Sequence, residues 1–489
     1  MSKPPAGLEL DPETMRALGY RVVDALVERL TGLERAPAWR GASRGAMDAL
    51  LAEAAPAAPA WDRAVGGPAG TPPSRGEDAD DVVARSFDAL LERLRRDVLE
   101  HAGRIDHPRF FAFVPSSPTW PSVLGDFLAA GYNVFQGTWL ESAGPSALEL
   151  VVLGWFRDWL GMPPSTAGIL TSGGSAANLT ALACARHAHG DGVLYLSTET
   201  HSSVARAARI LGFPDDRVRA LPADRDGRLQ AEVCRAAIAE DRRAGRRPLA
   251  LVASAGATST GAVDPLGALA EVAEEEGVWL HVDAAYGGFA VLTAEGRELL
   301  AGIERADSVT LDPHKWLFQP YEAGCLLVRE GPRLRDAFHI LPAYLQDTAV
   351  AGGEVNFAER GPQLTRMARA VKIWLSVQLF GLDAFRAAIE EALRLARRAE
   401  ERIRRSAELE LATPARLGIV CFRRRASEES ADSTNEALVR ALAESGLGMI
   451  SSTRVDGRYA LRLCILNHRS RWEDVERVLT FLEETPTPG

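Results

Sequence analysis

A chain of 489 residues, 46% hydrophobic and 25% charged, has ordinary globular composition and exceeds what one hydrophobic core organises, so two or three domains are expected. Its formal net charge of -10 is spread over both halves without a basic stripe or arm, which argues against nucleic acid as a partner and for small molecules. The chain has no run of about 18 apolar residues, no leader-like start and no CxxC pair among Cys184, Cys234, Cys325, Cys421 and Cys464, so neither a membrane nor a metal site is expected and a reduced, cytoplasmic setting is.

In chain order, Met15, Leu18, Val22, Val23, Leu26 and Leu30 recur at helical spacing, which predicts an amphipathic helix over Asp11 to Leu30 with Asp11 as N-cap before Pro12. The Ala-, Pro- and Gly-rich stretch from Ala54 to Asp78, with Pro72-Pro73, reads as a linker, followed by a second helix over about 79–102. Between Gly168 and Val328 short apolar runs (Val193 to Leu196, Leu249 to Ala253, Val278 to Val282, Ser308 to Leu311) alternate with helical patterns (Ser175 to His187, Leu266 to Glu276). This alternation implies βαβ units and a mainly parallel sheet. A long helical region from Gln363 to about Ser406 and candidate strands at Gly418 to Arg423 and Tyr459 to Ile465 complete a smaller α+β part.

Four segments carry chemistry. Ser308-Val-Thr-Leu-Asp312-Pro-His314-Lys315-Trp316 sets a lysine just after an apolar strand; a desolvated amine near other positive groups has the lowered pKa that attack on an aldehyde requires, the alternative being a surface lysine at a strand end. Asp283, in His281-Val-Asp283-Ala-Ala285-Tyr-Gly-Gly, closes a strand where parallel sheets bind ligands; it could keep a pyridine nitrogen protonated or simply cap a helix. Leu170-Thr-Ser-Gly-Gly174-Ser175-Ala-Ala-Asn178 runs from a strand into a helix whose N-terminus could receive a phosphate, but it lacks the spacing of a P-loop or a dinucleotide fingerprint and is a weak signal alone. His201, in Thr200-His201-Ser-Ser203, could stack on an aromatic cofactor or be a structural cap.

The order of these segments narrows the alternatives. THSS, HVDAAYGG and DPHKW, with the earlier TSGGSAAN, resemble the group II pyridoxal 5′-phosphate (PLP) decarboxylases, especially the aromatic-L-amino-acid decarboxylase family, over nearly the whole chain. The resemblance implies an α/β, PLP-dependent aminotransferase-like fold. It would comprise an N-terminal helical arm and linker (1–90), a large mainly parallel-sheet PLP-binding domain (91–385) and a small C-terminal α+β domain (386–489). A homodimer is implied, with the first helix packing on the partner subunit.

The same resemblance assigns roles. Lys315 would hold the cofactor, Asp283 would pair with the ring nitrogen, His201 would stack on the ring and touch the substrate, and Ala285 would support the other face. Gly174 and Ser175 would hold the phosphate, with Thr258 and His314 close by; Asp312 stands where many relatives carry asparagine, which puts direct phosphate contact there in doubt. Phe113, Pro115, Ser116 and Phe135 would line the substrate pocket, and Trp139 would reach toward the neighbouring subunit's site. Gly137, where some relatives have a bulky aromatic, would make the pocket roomier. The substrate would be aromatic, or acidic if Arg109 points inward.

Counted without gaps from Arg369-Ala-Val-Lys-Ile-Trp374, Phe357 falls where the family's decarboxylases have a proton-donating tyrosine. In a mobile loop Gly352 to Arg360 closing over the site, it would favour oxidative conversion to an aldehyde. Other readings are a transaminase enlisting Arg462 and a non-catalytic PLP-binding protein.

Overall fold

The computed structural model describes residues 8–62, 79–340, 343–348 and 353–486. Residues 63–78 of the expected linker, including Pro72-Pro73, lie outside the described residues, as does Gly352. The chain divides into two compact units, Met1–Phe110 with Ala441–Met449, and Phe111–Arg440 with Ile450–Gly489.

In the first unit the opening helix is Pro12–Gly32, and the Asp11 carboxylate caps it by accepting the N–H groups of Glu13 and Thr14 at 2.9 Å each. Its last turn is tied down by the Arg29 guanidinium, which forks onto Asp106 at 2.6 and 2.7 Å. Met15, Tyr20, Val22 and Val27 on this helix are exposed. The second helix ends at Asp97 instead of running to 102: Val98 leaves helical geometry and a 3₁₀ turn, Leu99–His101, follows.

The second unit is built on a seven-stranded sheet. Its spatial order is Ala167–Thr171, Gly324–Val328, Ser308–Leu311, Trp279–Asp283, Pro248–Ser254, Val193–Ser197, Val218–Leu221. Neighbours from Ser308–Leu311 to Val218–Leu221 pair in parallel, and Gly324–Val328 runs antiparallel to both of its neighbours. The central strands are buried along their length, which is why they read as unbroken apolar runs. Their common direction gathers Ser197, Ser254, Asp283 and Leu311 at one edge, the ligand-binding edge of such sheets.

The helical region after Gln363 is two helices, Ala370–Phe380 and Leu382–Arg404. Gly381 separates them in the left-handed region (φ 72°), a conformation glycine adopts without cost. The boundary read at residue 385 falls inside the second helix. Beyond it an antiparallel sheet orders Leu409–Leu411, Ile419–Arg424, Arg458–Cys464 and Met449–Val455. Two of these strands were expected; Met449–Val455 escapes notice because it is largely polar and only partly buried. All five cysteines are free and buried. Among the described residues no helix is long and apolar enough to cross a membrane, and no cluster of metal-binding side chains occurs.

Candidate active site

At the carboxyl edge of the large sheet a cavity of about 310 Å³ is lined by Gly174, Ser175, His201, Thr258, Asp283, Ala285, Asp312, His314 and Lys315. These are all nine of the residues expected to hold the cofactor.

Lys315 follows the strand Ser308–Leu311 in a turn closed by its own N–H on the Asp312 carbonyl at 2.9 Å, and its carbonyl accepts the Ser116 hydroxyl at 3.1 Å. Its Nζ stands 2.9 Å from Asp312 Oδ2. Burial pulls the pKa of this amine down, but the charge and hydrogen bond of Asp312, aided by Asp283, outweigh burial and the net shift is upward. The expected lowering is therefore corrected: the group nearest the amine is a carboxylate, not another cation. His314 accepts the Ala323 N–H through Nδ1 at 3.2 Å, and burial holds its pKa below the ordinary value, so it contributes no charge at neutral pH.

Asp283 ends the strand Trp279–Asp283. One oxygen accepts the Ala285 N–H at 3.2 Å and the other accepts the Asn178 amide at 2.8 Å. It caps no helix. His201 is a cap, its Nδ1 accepting the Ser203 N–H at 3.3 Å at the start of the helix Ser202–Ile210, and it also lines the cavity. The glycine turn leads into the helix Gly174–His189, which no side chain caps. A Cβ on Gly174 would stand 3.0 Å from that of Ala285 and 3.1 Å from Asp312 Oδ2, so a larger residue would crowd the cavity.

These groups fit PLP. An uncapped helix N-terminus suits its phosphate, a buried carboxylate its ring nitrogen and a lysine its aldehyde. Asn178, Ser203, Ser254 and Tyr286 also line the cavity and were given no role from sequence. Asn178 could have been found, because it lies four residues after Gly174 and so on the same helix face.

Other expected residues are elsewhere. Phe113, Pro115, Ser116 and Phe135 do not line this cavity, and Phe113 is 64% exposed with φ 54°. Gly137 does not line it either, and a Cβ there would meet the Leu364 carbonyl and the Phe135 ring at 2.5 Å. Arg109 spends its guanidinium on the carbonyls of Leu447 and Glu34, and Arg462 on those of Phe113 and Ser259. Phe357 is corrected outright. It is fully buried in a short 3₁₀ turn, Phe357–Glu359, with the guanidinium groups of Arg360 and Arg366 at 5.5 and 4.9 Å from its ring centroid. It does not line the cavity.

Residues 75–425 match the model of the pyridoxal-dependent decarboxylase conserved domain. The chain belongs to the pyridoxal-dependent decarboxylase family. It is a PLP-dependent amino-acid decarboxylase, a carbon–carbon lyase. It is 38% identical over 482 residues to an aromatic-L-amino-acid decarboxylase of Bacillus atrophaeus, covering 96% of this chain and 95% of that one. Against an L-2,4-diaminobutyrate decarboxylase of Rhizobium meliloti it is 35% identical, covering 82% and 83%. The crystal structure of Catharanthus roseus tryptophan decarboxylase in complex with L-tryptophan superposes with a TM-score of 0.86 at 28% identity, covering 98% of this chain and 99% of that one.

Proposed function

We propose that this decarboxylase acts on an aromatic L-amino acid, releasing the amine and CO2, with Lys315 carrying the cofactor. The observation that carries the reading is the convergence of Lys315, Asp283, His201 and the uncapped Gly174–His189 helix on one cavity. Bound PLP supplies the electron sink that makes loss of the carboxylate possible. The chain's own groups do the rest. Asp283, buried and hydrogen-bonded, holds a proton on the ring nitrogen by its negative charge. Gly174 and Ser175 present the positive end of their helix to the phosphate. His201 would wall one face of the ring and Ala285 the other, and Asp312, 2.9 Å from the Lys315 amine, holds its proton until the cofactor is captured.

The aromatic assignment draws on the similarity to the aromatic decarboxylase of Bacillus atrophaeus and the tryptophan decarboxylase of Catharanthus roseus. The commitment of Arg109 to two backbone carbonyls removes the group that recommended an acidic substrate. The PLP-binding domain of this reading lies within the second unit. We further propose a homodimer, the exposed Met15, Tyr20 and Val27 meeting the partner, in a reducing cytoplasmic setting suited to five free cysteines.

The test is a panel of Phe, Tyr, Trp, Glu and 2,4-diaminobutyrate assayed in parallel for CO2, amine, aldehyde and hydrogen peroxide. Amine and CO2 from an aromatic substrate at the highest kcat/KM support the reading. Preference for Glu or diaminobutyrate, or aldehyde as the main product, overturns it.

A further inference from the structure

Behind the cavity floor lies a chain of side-chain hydrogen bonds with a fixed direction at each end, and the Ser308 backbone is a second partner of His281. At one end is the Trp279 indole N–H, which can only donate, 2.8 Å from Ser308 Oγ. At the other is the Asp283 carboxylate, which can only accept, 2.8 Å from the Asn178 amide. The end of Asn178 facing Asp283 must therefore be its NH2, which also reaches Ser203 Oγ at 2.9 Å. That turns the Asn178 carbonyl toward His281 Nε2 at 3.0 Å, so this nitrogen must carry a hydrogen. Burial lowers the His281 pKa and keeps the ring neutral, leaving Nδ1 to accept the Ser308 hydroxyl at 2.8 Å. At the far side Ser203 Oγ, already accepting from Asn178, gives its own hydrogen to His201 Nδ1 at 2.7 Å. His201 Nδ1 thus faces two donors of one residue, the Ser203 hydroxyl and the Ser203 N–H at 3.3 Å.

We propose that His281, which does not line the cavity, is a positioning residue acting through Asn178 on both polar groups of the cofactor site. It orients the amide that holds Asp283, and through Ser203 it directs a hydroxyl that joins the Ser203 N–H in facing His201 Nδ1. Asn178 is the branch point. If its amide turned over, its carbonyl would face the Asp283 carboxylate, and Ser203 would lose the donor that directs its hydroxyl. Two acceptors in contact inside a buried site are costly, so the Nε2–H of His281 opposes that flip. Of the nine histidines in the chain, His281 and His201 are the two joined by this network. The inference rests on the assignment of this cavity as the PLP site but not on the identity of the substrate.

The test is heteronuclear NMR of the imidazole nitrogens in the PLP-loaded enzyme at neutral pH, with signals assigned through His201→Gln and His281→Gln. His281 is expected as the neutral Nε2–H tautomer, and His201 with Nδ1 as an acceptor. In His281→Phe, the His201 Nδ1 signal is expected to shift as the Ser203 hydroxyl loses its direction, and the Kd for PLP to rise by about tenfold, the scale of one lost hydrogen bond to a charged group. His281→Gln, whose amide can still donate to Asn178, should restore both. A wild-type His281 protonated on Nδ1, facing the Ser308 backbone carbonyl, overturns the proposal without any variant having to fold. So does a PLP-binding His281→Phe enzyme in which the His201 spectrum is unchanged. A protein with the expected tautomers that decarboxylates no aromatic amino acid would sink the functional reading and leave this one standing.

Discussion

At the ends of the parallel strands Lys315, Asp283 and His201 meet around one cavity, whereas Phe357 is sealed in the core between two guanidinium groups. Both regions are picked out by motif and spacing, and only the first is where spacing says it should be. The difference is physical. A residue at the carboxyl end of a buried parallel strand has its position set by the ladder, so its place in sequence is also its place in space. Phe357 has no such ladder. Its surroundings come from Arg366, whose guanidinium is pinned by Glu149 at 2.8 Å in a pair with no solvent exposure, and from Arg360, which reaches the Gly168 carbonyl. Spacing from Trp374 aligns Phe357 with a family position but says nothing of its depth.

Variants at the two regions should separate accordingly. The largest effect is expected for Lys315→Ala, which should abolish turnover and the visible absorption of attached cofactor while circular dichroism stays native; retained turnover would remove Lys315 from its role. Asp283→Asn should lower kcat by more than about 100-fold, roughly 2.7 kcal/mol of barrier, because the ring nitrogen loses its counter-charge. A loss of under about tenfold would make Asp283 structural.

A subtler effect is expected at Asp312, the carboxylate that raises the Lys315 pKa against burial. The amine attacks an aldehyde only when deprotonated, so Asp312→Asn should speed PLP capture at neutral pH and shift its rise with pH to lower values. Each unit by which the Lys315 pKa falls raises the free-amine fraction about tenfold. Stopped-flow absorbance against pH reads this, and an unshifted profile would show that Asp312 does not control the amine. The linkage has a definite sign. Because the folded pKa of Lys315 lies above its unfolded value, the stability it contributes to the PLP-free protein is present below the unfolded pKa and is lost as pH rises through the folded one. Asp312→Asn should flatten that alkaline loss in thermal melts.

The smallest catalytic effect belongs to Phe357→Tyr. Sealed away from the cavity, the new hydroxyl should leave the amine-to-aldehyde ratio unchanged under oxygen. Burying it without a partner should cost about 1–3 kcal/mol of stability, read as a lower denaturation midpoint. A rise in the amine fraction would return Phe357 to the site and break the contrast between the two regions.

Much of the architecture was legible because the central strands are buried on both faces and their apolar runs announce themselves. The N-cap at Asp11 was legible because capping is local, a carboxylate accepting from Glu13 and Thr14. Gly381, by contrast, was hidden in a long helical pattern, since a left-handed glycine between two helices leaves their periodicity almost intact. The strand Met449–Val455 was hidden by its polarity.

The motifs, through the family they resemble, pointed to the cofactor class and to nine residues that line one cavity, and each motif sits at a strand end or a helix start where local geometry dictates direction. Tertiary packing decided what lies beside them. Asp312 reverses the pKa shift that burial of Lys315 would produce, and Arg109 turns to Leu447 and Glu34. Trp279, Ser308, His281 and Asn178 meet behind the floor from three separate elements, and Phe357 goes into the core. These outcomes depend on which distant side chains share a buried space, and a one-dimensional pattern carries no information about the neighbours a fold will bring.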